Sequence, residues 1–91
     1  MKEIKETKNI EKIFKSLGNN RRLKIISYLD AHKEASVGEL AEAIKLSFKS
    51  TSKHLKILDA VDLVEKEQRG PNMFYRLSEP RHKFVSILLS L

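Results

Sequence analysis

A chain of 91 residues with 18 Lys/Arg against 12 Asp/Glu, a formal charge of +6, can build one small core, and its basic balance favours a polyanionic partner. It has no cysteine, which excludes disulfides, thiolate metal sites and thiol redox sensing. The amino terminus is charged and no apolar run approaches the roughly 18 residues of a membrane span, so neither a signal peptide nor a membrane partner is expected and a cytoplasmic location is the default.

No repeat, low-complexity tract or Pro/Gly/Ser linker interrupts residues 1–91, which therefore read as a single domain. Ile10, Ile13, Phe14 and Leu17 recur at i, i+3, i+4, i+7 and predict a first helix, with Gly18 at its C-cap. Asn19 or Asn20 caps a second, in which Arg22, Ile25, Ile26 and Leu29 share a stripe and which ends near His32. Ser36 and Glu39 form a capping box ahead of Val37, Leu40, Ala41 and Ile44, a short third helix. Only Lys45 and Leu46 separate it from Ser47, a good N-cap for a fourth, so helices three and four form a helix-turn-helix. Lys45 stands at the turn position where glycine would be easiest, at a left-handed cost on the order of 1 kcal/mol.

The fourth helix is the most informative segment. At about 100° per residue, Thr51, His54, Leu55 and Leu58 fall on one side and Lys49, Ser52, Lys53 and Lys56 on the other. No acidic residue lies between Lys45 and Lys56 to cancel these charges. Such a face suits DNA; alone it also fits an ordinary solvated lysine face. Beyond Leu58 the period becomes β-like, and runs 63–69 and 73–77 predict a β-hairpin, with Gly70-Pro71-Asn72 as an extended loop rather than a two-residue turn. Pro80 is expected to start a last helix, with Phe84, Ile87, Leu88 and Leu91 on one face and Val85 with Leu89 on a second. Two apolar faces need two covering surfaces, so a partner is expected. The fold class is mainly α with a β-hairpin, in the order α-α-α-α-β-β-α, a winged helix-turn-helix.

The segments Phe14-Lys-Ser-Leu-Gly-Asn-Asn-Arg-Arg-Leu-Lys-Ile-Ile26, Val37-Gly-Glu-Leu-Ala-Glu-Ala-Ile44, Ser52-Lys-His-Leu-Lys-Ile-Leu58 and Phe74-Tyr-Arg-Leu77, in this order and spacing, resemble the ArsR/SmtB family of bacterial and archaeal repressors. The resemblance implies a homodimer built from the first and last helices, whose two recognition helices read an inverted repeat of double-stranded DNA. It places base-facing positions at Phe48, Lys49, Ser52 and Lys53. Residue geometry alone selects Lys49, Ser52, Lys53 and Lys56, with Lys56 directed to phosphate. Phe48 either contacts a thymine methyl or staples the helix start. In the wing, Arg69 is expected to touch phosphate or the minor groove, beside Asn72. Phe84, Ile87, Leu88 and Leu91 are the expected dimer face.

The family's metal sites are not matched. The thiolate site would fall near Ala35-Ser36-Val37, and His32, His54 and His82 show no paired ligand spacing. They read instead as a helix C-terminal residue, a core-edge residue and an exposed residue. No phosphate loop, nucleophile with base or acid pair is present, so no enzyme activity and no cofactor is expected. The expected function is a sequence-specific transcriptional regulator, a homodimeric repressor without metal or thiol sensing, with which a small-molecule effector is compatible. The alternative is a winged-helix protein interaction module with no specific DNA target.

Overall fold

The computed structural model describes residues 3–91. Helices α1 (Thr7–Leu17) and α2 (Asn20–His32) precede a two-residue strand β1 (Ala35–Ser36). The helix-turn-helix α3 (Val37–Ile44) and α4 (Phe48–Ala60) is followed by the wing, β2 (Val64–Arg69) and β3 (Asn72–Leu77), and by α5 (Lys83–Leu89). Helix α2 is the hub, packing against α3, α4, β3, α1 and α5. Its Ile25, Ile26 and Leu29 are buried together with Leu40, Leu55, Leu58, Leu63 and Val85.

Local chemistry sets the helix ends. Asn19 Oδ1 accepts from the Arg22 N–H at 3.2 Å, which selects Asn19 over Asn20 as the cap of α2. Ser36 and Glu39 exchange both bonds of the capping box, at 3.1 and 2.8 Å. Lys45 is left-handed (φ 56°, ψ 52°), and the Leu46 N–H closes onto the Ala41 carbonyl at 3.0 Å, so the turn accepts the expected strain to bring α4 across α3. Gly18 ends α1 with φ −83°, so left-handed freedom is not its role; a Cβ there would lie 3.2 Å from the Phe14 carbonyl oxygen.

Five expectations change. Strand β1 adds to the wing in the order β1-β3-β2, Ala35 facing Tyr75, so the hairpin belongs to a three-stranded antiparallel sheet. The wing turn is a two-residue one, because Arg69 pairs with Asn72 and only Gly70 and Pro71 lie between. Gly70 has φ 57° and proline cannot follow it there, which leaves a type II′ geometry with glycine first. Pro80 does not start α5. The segment 78–82 runs irregularly, Arg81 is tied to Asp30 of α2 at 2.9 Å, and the helix begins only where His82 Nδ1 accepts from the Phe84 N–H at 3.1 Å. His82 is accordingly half-buried, not exposed. At the other end Leu91 lies beyond α5, after a last turn tightened to i→i−3 bonds.

Candidate nucleic-acid interface

Helix α4 is held from below and open above. Thr51, Leu55 and Leu58 are buried, and the Thr51 hydroxyl donates back to the Ser47 carbonyl at 2.8 Å. The Ser47 hydroxyl caps the helix by accepting from the Ser50 N–H at 3.0 Å. Phe48, Lys49, Lys53 and Lys56 are exposed and Ser52 is half-exposed, so the structure brings all five sequence-predicted residues onto one open face. Among the described residues, none of these lysines nor Lys45 lies within ion-pair distance of a carboxylate. The acid at the far end of the helix, Asp59, is spent on Lys66 of β2 at 3.2 Å. Positive charge is therefore concentrated on the first turns of α4, where a groove-reading helix presents its side chains deepest.

Phe48 does not staple the helix. The residue ahead of the cap, Leu46, is the one packed on the core, while Phe48 is 63% exposed.

The wing is less free than its sequence suggests. Arg69 does not project from the tip: its guanidinium forms a two-pronged pair with Glu34, between α2 and β1, and a 3.1 Å bond to Glu67. It also lies 4.5 Å over the Phe74 ring. Glu67 accepts a further bond from Arg76 at 3.2 Å. The bonds from Arg69 hold the carboxyl groups of Glu34 and Glu67 below the usual carboxylate range. These links fix the angle of the wing against the body, and Asn72 with the Gly70-Pro71 turn is left exposed at its end.

One connection had no sequence signal beyond an arginine in an apolar stripe. Arg22 Nε donates to the Ser16 carbonyl at 2.6 Å and Nη2 to the Lys15 carbonyl at 3.2 Å, tying down the open end of α1. Its Nη1 lies 3.0 Å from His54 Nδ1 of α4. Arginine has no acceptor, so Nδ1 accepts and the ring is neutral with its proton on Nε2. Burial, then the charges of Arg22 and Arg21, lower the His54 pKa below its ordinary 6.5. Between that value and the lowered one the unfolded chain binds a proton that the folded chain does not. Stability is thus full above pH 6.5 and declines as pH falls below it. The urea midpoint is expected to drop between pH of about 7.5 and about 5.5. The drop should be smaller in His54→Gln, whose amide oxygen keeps the acceptor without titrating. An equal drop in both proteins would remove His54 as the cause.

Helices α1 and α5 meet through Phe14 and Phe84, ring centroids 4.7 Å apart. Val85 is buried and Phe84, Leu88 and Leu89 pack partly against the core, while Phe84, Ile87 and Leu88 also line an open apolar groove with Phe14, Leu17 and Gly18. Within Lys83–Leu89 the groove-lining side is only partly covered, with Ile87 55% exposed, and Leu91 is not part of it. No helix is long and apolar enough to cross a membrane among the described residues. Nor do three His, Asp or Glu side chains gather there as a metal site.

A helix-turn-helix with an unneutralised basic second helix, followed by a β-wing, defines the class: this is a winged helix-turn-helix domain of a transcription regulator. Residues 19–66 match the family described as bacterial regulatory protein, arsR family, and the chain belongs to that family, one of regulators and not of enzymes. It is 36% identical over 77 residues to the transcriptional activator HlyU of Vibrio cholerae, covering 85% of this chain and 70% of that protein. The HlyU structure superposes with a TM-score of 0.80 at 31% identity, covering 94% of each chain. The arsenical resistance operon repressor of Bacillus subtilis is 33% identical over 69 residues, 76% of this chain and 66% of its own length. The homodimeric winged helix-turn-helix DNA-binding domain Mb0332 of Mycobacterium bovis, solved by NMR, has a TM-score of 0.76 at 26% identity, over 99% of this chain and 84% of that one.

Proposed function

We propose that the protein is a cytoplasmic homodimeric repressor that binds an inverted repeat in duplex DNA and signals without a metal or a thiol. The open basic face of α4 carries this reading. Lys49, Ser52 and Lys53 read base edges, where lysine pairs with guanine O6 or N7, and Lys56, a turn further on, meets phosphate. Asn72 and the Gly70-Pro71 turn approach the backbone or minor groove, and Arg69 holds the wing at that angle, with phosphate as an alternative partner for its guanidinium. Dimerisation through the α1–α5 groove sets the spacing of the two α4 helices; the homodimeric state of the Mb0332 domain supports a dimer as such. Among the relatives, HlyU is named an activator and the Bacillus protein a repressor. Repression follows most directly from a domain that occupies DNA, and a small-molecule effector would release it.

Fluorescence anisotropy on the tightest duplex selected from a random library tests the reading. One phosphate-directed lysine per protomer, Lys56, gives two displaced counterions per dimer, so affinity should fall with a log–log salt slope of about −2 or steeper. Binding that ignores salt would leave α4 a solvated face on an interaction module.

A further inference from the structure

Among the exposed apolar side chains, Phe48 is the one at the start of α4, beside the lysines of its first turns; Ile57, 43% exposed, lies more than two turns further along the helix. Phe14 and Ile87 belong to the groove between α1 and α5, and Leu23 borders the adjoining cleft beside Leu88 and Leu91. Phe48 is 63% exposed and is not a member of the buried core. It is not needed to start α4, since Ser47 supplies the cap and Leu46 the packed residue before it. Around the helix axis it stands about 40° from Ser52, about 100° from Lys49 and about 20° from the buried Leu55 two turns on, so it marks the border between the basic and the packed face, ahead of the core.

Its neighbours decide what it meets. Lys45, Lys49 and Lys53 surround the start of the helix without carboxylate partners among the described residues. An apolar pocket on another protein would have to desolvate these ammonium groups to reach the ring. In the major groove the thymine C5-methyl presents an apolar target between two rows of phosphates, so ring and lysines are satisfied together.

We infer that Phe48 is a specificity-determining residue that packs on one thymine methyl in each half-site. The inference rests on the DNA-binding reading above. The probe is the tightest selected duplex with each thymine replaced in turn by deoxyuridine, which removes the methyl and leaves the base-pairing edge unchanged. The full chain is expected to lose about fourfold in affinity at one thymine per half-site, the effect of exposing a single methyl-sized group. Phe48→Ala should bind the thymine and uracil duplexes alike, and Phe48→Leu should keep part of the difference. A flat uracil scan, or a penalty that persists in Phe48→Ala, overturns the role of Phe48 while DNA binding stands. Failure to select any duplex with salt-dependent affinity overturns the DNA-binding reading itself.

Discussion

Replacing Phe14 and Ile87 together by glutamate is expected to convert a dimer into a monomer and to weaken operator binding by about a hundredfold or more. Both side chains are more than half exposed, at 54% and 55%, and neither is in the buried core, although Phe14 also meets Phe84 of its own α5. They lie in one apolar groove with Phe84 and Leu88, and charges there would face their own symmetry copies across a two-fold axis. Separating the protomers removes the gain from engaging two half-sites at once, which is on the order of 10² to 10⁴. Light scattering after size exclusion should move from twice the 10.5 kDa chain mass to that mass. A variant that stays dimeric would place the interface elsewhere. Glutamate at Val85 is no substitute for this test, because that side chain is 1% exposed in the protomer core and its loss would unfold the chain.

The second large effect concerns discrimination. Lys49→Ala combined with Lys53→Ala should bring operator and random-sequence affinities close together, each lost base contact being worth roughly 1–3 kcal/mol. Lys56→Ala should instead weaken all duplexes about equally and lower the salt slope by about one per site. The observation behind this division is position: Lys49 and Lys53 lie on the first turns of α4, exposed and without carboxylate partners among the described residues, and Lys56 lies a turn further along. Selection on a randomised operator with each variant separates the cases. If all three lysines lose operator and random DNA in parallel, the face is an electrostatic footprint, and readout passes to Phe48, the wing and DNA shape.

The helix-turn-helix was legible because its signals are local. Caps at Asn19 or Asn20, Ser36 and Ser47, and apolar spacing within α1, α3 and α4, involve residues no more than a few positions apart, so they are written in the order of the chain. The same holds for the split of α4 into a buried side with Leu55 and Leu58 and a basic side with Lys49 and Lys53. The membership of two apolar faces in the last helix was likewise readable, although not which face would stay partly uncovered. Phe48 was readable as a residue on the site but not as an exposed one, because nothing in its own segment shows that Leu46 takes the packing role.

What the sequence by itself determined, then, is the succession of the five helices and the wing hairpin, the absence of thiol chemistry and the place of the basic face. The tertiary structure decided the pairings between distant residues. Arg22 reaches His54 across 32 positions, and Arg69 reaches Glu34 across 35. Strand β1 exists because the chain after α2 is carried alongside β3, and α5 begins at Lys83 because Arg81 is anchored on Asp30 and His82 is placed to cap. The reason is physical: periodicity and capping act through a single turn of backbone, whereas an ion pair or a ladder bond needs two segments that only the packed core around α2 brings together.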